Sequence, residues 1–136
     1  SRGAQVRCGG HLLTELGNQF YAPTVLTNVT AEMAIASEEI FGPVAPIYRF
    51  RTDDEAVALA NATEYGLAAY FYARDVGRVW RVAEQLDYGM IGINTGIISS
   101  EVFPFGGVKQ SGFGREGSKY GVDEYLEVKA ICLAGV

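Results

Sequence analysis

Residues 111–117 read SGFGREG, and Gly112, Gly114 and Gly117 stand at the spacing G-x-G-x-x-G. In a dinucleotide-binding loop those glycines let the backbone approach a pyrophosphate. Such a loop comes after a strand, opens a helix, and has an acidic residue for the ribose about 20 positions further on. Here the preceding PFGGVKQ does not read as a strand, and the sequence offers no acidic residue at that distance past Gly117. The nucleotide reading fails on context. The spacing G-x-x-x-x-G-K-[ST] of a P-loop is absent as well.

Cys8 and His11, in VRCGGH, are the other pair that could do chemistry, as a thiol–imidazole couple. No third group orients them, so Cys8 reads as a plain thiol. Cys132, in AICLA, reads as a small packed hydrophobe. Two cysteines without C-x-x-C spacing and one histidine make no zinc set, and no metal is expected. One disulfide between them stays open. Free thiols in a cytoplasmic protein are the simpler reading.

The elements that must position any site emerge from pattern. The 136 residues are 49% hydrophobic, enough for one domain with a core. Net charge is −5 and the basic residues are scattered, so no face suits nucleic acid. No apolar run approaches the roughly 18 residues of a membrane span. The sequence opens on Ser1 without a signal-peptide pattern, and we expect a processed product or a piece of something longer. Residues 1–18 suggest an irregular or hairpin-like entry. Residues 20–26, interrupted by Pro23, suggest an edge strand or extended segment. Thr30 can cap a short helix over 31–36.

Residues 44–50 (VAPIYRF) read as a strand, and Thr52 with Glu55 forms a capping box for a helix that Gly66 ends. Residues 67–73 (LAAYFYA) have the unbroken apolar run of a strand buried on both faces. Asp75 caps a helix over 76–88 that Gly89 ends, and 90–94 (MIGIN) is a third strand. Strand, helix, strand, helix, strand predicts an α/β fold, a partial parallel sheet flanked by helices. The Gly- and Ser-rich stretch 95–117 leaves the end of a parallel strand, where ligands bind in such sheets. Residues 118–124 suggest a short helix. Residues 125–133 (YLEVKAICL) suggest a terminal strand that pairs with another subunit.

Beyond these patterns, PFGGVKQSGFGREG resembles the signature loop PFGG-x-x-x-SG-x-GRE of the aldehyde dehydrogenase superfamily. EEIFGPV, residues 38–44, resembles that family's EE-x-FGPV segment. The two lie in the family's order and at about its separation. The stretch from GINTGIIS to DEYLEVK is similar to the succinate-semialdehyde dehydrogenase branch. The resemblance covers nearly the whole chain. It implies an NAD(P)-dependent oxidation of an aldehyde through a cysteine thiohemiacetal, hydride transfer and thioester hydrolysis.

By that resemblance Glu39 bonds the nicotinamide ribose and Phe41 packs near the nicotinamide. Their ordinary alternatives are a solvated acidic pair and a core ring. Ser99 matches a serine placed near the distal carboxylate of a semialdehyde; its alternative is a turn hydroxyl. Phe105 would line the aldehyde path, or else anchor the loop. Glu116 matches a carboxylate suggested as a proton relay; an ion pair with Arg115 or a nearby lysine is the preferred reading. Glu127 would pair with an arginine such as Arg115. The family's GQ-x-C nucleophile and ELGG base motifs are not in this sequence, and neither are its glycine-rich cofactor domain and substrate arginines.

The resemblance therefore implies residues 1–119 as the C-terminal portion of a catalytic α/β domain and 120–136 as an oligomerisation arm. NADP or NAD is the implied cofactor, a small aldehyde the substrate, and a homo-oligomer the assembly. The alternatives are a non-catalytic oligomerising module and a dehydrogenase for another aldehyde. We expect no catalytic residue among these 136 and no activity from them alone.

Overall fold

Three short strands organise the first part of the chain: β1 (Gln5–Cys8), β2 (Thr24–Thr27) and β3 (Val44–Pro46). They come from a computed structural model that describes residues 3–135. β1 runs antiparallel to β2, with an irregularity between Val6 and Cys8, and β3 runs parallel to β2. β2 is therefore the middle strand, not the edge strand expected from Pro23. Proline lacks an N–H, but Pro23 stands one residue before the ladder, and the Thr24 amide donates to the Pro43 carbonyl at 2.8 Å. Thr24 is the buried polar residue of this unit. Its hydroxyl donates to the Ala22 carbonyl and accepts from the Gly10 amide, both at 2.8 Å, so its burial leaves no orphan. Ala22, Val29, Met33 and Val57 are the buried apolar side chains.

The helix expected over 31–36 shrinks to one 3₁₀ turn, Ala34–Ala36. Thr30 does not cap it. Hydrogen bonding from Thr30, and then from its own backbone, holds the Glu32 carboxyl below the usual range. The capping box at Thr52 does form. In α1 (Asp53–Asn61) the Glu55 amide donates to Thr52 Oγ1 at 3.2 Å. The Glu55 carboxylate reaches back one residue further than the usual box and accepts from the Arg51 amide at 2.7 Å. The helix stops at Asn61 with Ala62 as its C-cap, and Gly66 belongs to a strand instead of ending the helix.

The chain divides between Ala62 and Thr63 into two compact units. The second holds β4 (Tyr65–Gly66), β5 (Ala68–Phe71), α2 (Val76–Gln85), β6 (Met90–Ile93) and β7 (Val108–Lys109). β5 and β6 are parallel, joined through α2, as the sequence predicts. Asp75 caps α2, accepting from the Arg78 amide at 2.7 Å. The single three-stranded parallel sheet is not formed, since β3 pairs with β2 while β5 pairs with β6. Nor is β5 buried on both faces. Tyr70 and Tyr72, which share a face by the two-residue alternation, are 47% and 72% exposed, with no second layer over them in this unit. On α2, Val76 and Trp80 are exposed too.

The long loop after β6 is ordered by backbone contacts. β7 pairs antiparallel with β4, and Phe105 bridges Glu116 through two hydrogen bonds of 2.8 and 2.7 Å. A Cβ on Gly89 would collide with the Gly106 carbonyl; one on Gly107 would lie 2.5 Å from Ser111 Cβ. The Gly89 amide donates to the Gly66 carbonyl and the Gly66 amide to Ser111 Oγ, both at 2.9 Å. Lys109 ties the loop down, at 3.1 Å from Asp87 Oδ2 and 3.2 Å from the Thr63 carbonyl.

A 3₁₀ helix, Tyr120–Tyr125, stands where a short helix was expected. The terminal strand over 125–133 is not formed within the chain. Residues 126–135 join no ladder among the described residues and are exposed throughout.

Two kinds of substitution test these contacts. Replacing the Thr52 or Asp75 cap by alanine should cost about 1 kcal/mol of stability in urea unfolding. Gly89→Ala should cost about 1–3 kcal/mol, because its new methyl meets backbone that cannot rotate away. An unchanged urea midpoint for Gly89→Ala would refute the close approach.

Candidate functional site

Each unit carries one patch with the residue types a site needs. In the first, the chain leaves the 3₁₀ turn with the Glu38 amide donating to the Ala34 carbonyl at 2.8 Å. It is pinned again at Pro43, whose carbonyl takes the Thr24 amide, and at Val44, which starts β3. Between those anchors Glu38 and Glu39 are both exposed. Glu39 makes no hydrogen bond or ion pair with any described residue. Phe41 is 98% exposed, so no residue of its unit packs over the ring. A free carboxylate two residues from a bare aromatic face can accept from paired hydroxyls and cover a flat apolar ring.

In the second unit the loop after β6 carries Ser99 and Phe105. Ser99 is exposed. Phe105 is 39% exposed and held by its bridge to Glu116. An open concavity of about 730 Å³ is lined by Phe105, Gly106, Gly107, Ser111, Phe113, Arg115, Glu116, Glu124 and Tyr125, among others. Phe105 thus belongs to a concave wall, and Ser99 lies outside that lining.

The geometry also explains the glycine spacing at 112, 114 and 117. Gly114 has φ +75°, and the Glu124 carboxylate sits 2.8–3.0 Å from where its Cβ would be. A carboxylate against the middle glycine repels phosphate, so the loop is no nucleotide cradle. Arg115 buckles the loop from within. Its Nη1 donates to the Gly107 carbonyl at 2.9 Å and the Gly114 carbonyl at 2.6 Å. The ion pairs expected for Arg115 with Glu116 or Glu127 are not made, because loop carbonyls have claimed the guanidinium. Glu116 contributes its backbone instead, and Glu127 is exposed.

Cys8 and Cys132 are both free and exposed, so no disulfide joins them. The Cys132 segment is exposed throughout, and nothing within its unit supports the packed reading of Cys132. The His11 ring nitrogen Nδ1 lies 3.3 Å from the Gly9 carbonyl, and no hydrogen bond joins the ring to the Cys8 thiol. Among the described residues no cluster of His, Cys, Asp or Glu could hold a metal, and no helix is long and apolar enough to cross a membrane. Two residues that pattern reading passed over tie this region together, Lys109 and Asn94. An asparagine that ends a strand and precedes Thr-Gly is a turn signal that could have exposed the second.

Comparison with known proteins agrees with the motifs. The model of the aldehyde dehydrogenase family matches residues 1–131. The chain is 61% identical over 135 residues to a 3-sulfolactaldehyde dehydrogenase of Pseudomonas putida, covering 99% of this chain and 28% of that protein. It is 58% identical over 132 residues to the NADP(+) succinate-semialdehyde dehydrogenase of Escherichia coli K12, covering 97% and 27%. The crystal structure of succinate-semialdehyde dehydrogenase from Burkholderia pseudomallei matches with a TM-score of 0.92 at 61% identity, covering 98% of this chain and 27% of that one. The chain spans little more than a quarter of the length of these relatives. With the family's two motif segments held in ordered loops and the match running nearly end to end, this chain belongs to the aldehyde dehydrogenase family.

Proposed function

We propose that these residues form the C-terminal part of an NAD(P)-dependent dehydrogenase for an aldehyde with an anion at its far end, succinate semialdehyde first. The observation that carries the proposal is the pair Glu39 and Phe41, a free carboxylate beside a ring that nothing in its unit covers. Exposing a phenyl ring costs free energy unless something apolar covers it. A nicotinamide ribose offers both complements, a flat ring and two vicinal hydroxyls. Glu39 would accept from those hydroxyls and Phe41 would restrain the ring. The bound cofactor supplies the hydride acceptor. Glu39 addresses the nicotinamide side, which is the same in NAD and NADP, so these residues serve either.

On the substrate side, Phe105 would line the aldehyde's path and the Ser99 hydroxyl would donate to the far-end anion. The names of the relatives support an anionic end, since a sulfolactaldehyde carries a sulfonate and succinate semialdehyde a carboxylate. The nucleophilic thiol and the general base come from outside this sequence, which contains neither motif. Residues 126–135 hold exposed Leu126, Val128, Ile131 and Leu133. We assign that segment to strand pairing with another subunit of a homo-oligomer.

Three measurements test these roles. The 136 residues alone should produce no NAD(P)H from succinate semialdehyde, and turnover above background would refute the division of labour. In the longer dehydrogenase, Glu39→Ala should lower kcat/KM for the cofactor by about 10–100-fold, the worth of hydrogen bonds to a charged acceptor. Val128→Asp should reduce the oligomer seen by light scattering, whereas an unchanged mass would remove the arm's role.

A further inference from the structure

The path of the chain to Ser99 is set by one carboxamide. β5 and β6 run in parallel register from Ala68 opposite Met90 to Phe71 opposite Ile93. The ladder takes one more rung, where the Asn94 amide donates to the Phe71 carbonyl at 2.9 Å. There the backbone of Asn94 enters the left-handed region, φ +55°, which asparagine tolerates better than most side chains. The turn removes the backbone partner that a continuing strand would offer Ala73. The Asn94 side chain supplies it instead. Its Oδ1 accepts from the Ala73 amide at 2.9 Å, and its Nδ2 donates to the Ala73 carbonyl at 2.8 Å. A carboxamide carries the donor and acceptor of a peptide group. The sheet keeps a closing rung while the chain leaves it.

The residues between this rung and Ser99 are equally constrained. Thr95 Oγ1 donates to the Ile97 carbonyl at 3.0 Å and accepts from the Ile97 amide at 3.2 Å. Ile98 then folds back onto β6. Its Cγ2 lies 2.8 Å from where a Cβ on buried Gly92 would be. With Ile98 seated there, its neighbour Ser99 is displayed to solvent.

We infer that Asn94 is a positioning residue. Its clamp on Ala73 aims residues 95–99 so that the Ser99 hydroxyl meets the anionic end of the substrate; this rests on the proposed substrate role of Ser99. A purely structural asparagine would lower stability without telling one aldehyde from another. An aiming asparagine discriminates between substrates that do and do not carry the anion.

The test compares Asn94→Ala, Asn94→Gly and Ser99→Ala in the longer dehydrogenase, with succinate semialdehyde and with butanal, a neutral aldehyde of the same carbon count. Asn94→Gly keeps the left-handed turn and loses only the clamp. Amide exchange at Ala73, faster in Asn94→Gly, reports that the clamp is gone. The expected result is a KM for succinate semialdehyde raised about tenfold in all three variants, with its kcat and both butanal parameters within about twofold. Equal losses on both aldehydes in the Asn94 variants would overturn the inference, and so would a silent Asn94→Gly beside an affected Ser99→Ala. A silent Ser99→Ala would remove the substrate role of Ser99 itself, a separate failure that this control reads alone.

Discussion

Backbone lying directly on backbone is the constraint on which the second unit depends. Gly89 meets the Gly106 carbonyl where any other residue would hold a side chain, and Gly66 and Gly107 continue the contact. The loop can then form the β4–β7 ladder, close through Phe105 and Glu116, and take the Arg115 buckle. The Lys109–Asp87 pair adds little beside this. Asp87 is 58% exposed, and partly exposed ion pairs are worth about 0–1 kcal/mol. The position of Phe105 therefore depends on four residues that have no side chain at all.

The first unit solves the same problem by another route. Its buried apolar side chains are few, so the satisfied hydroxyl of Thr24 and the bond from its amide to Pro43 matter more. That last bond places the far anchor of the segment bearing Glu39 and Phe41. In both units the candidate residues sit on short irregular stretches clamped at each end by main-chain hydrogen bonds. Little freedom is left to lose when a ligand arrives.

Local events were legible in the sequence. Thr52 and Asp75 cap their helices because a cap acts over three residues, all visible in one window. The runs at 67–73 and 90–94 became paired parallel strands for the same reason. Partnership was less legible. Nothing in VAPIYRF says that β3 pairs with β2, and nothing at Gly66 distinguishes a helix stop from a strand that receives Val108. The family motifs pointed to Glu39, Phe41, Ser99 and Phe105, and the structure leaves Glu39, Phe41 and Ser99 exposed and puts Phe105 on a concave wall. Asn94 escaped notice because its work is done across 21 residues, by a side chain that imitates a peptide.

The exposed face of α2 has a spectroscopic meaning. Trp80 is the sole tryptophan of the chain, and its indole is 64% exposed. All intrinsic indole emission of these residues therefore comes from one solvated ring on one helix. Whatever covers α2, be it more of the same polypeptide or a neighbouring subunit, would dehydrate that ring and move its emission to shorter wavelength. The molecule thus carries its own optical reporter of whether this face is bare or covered.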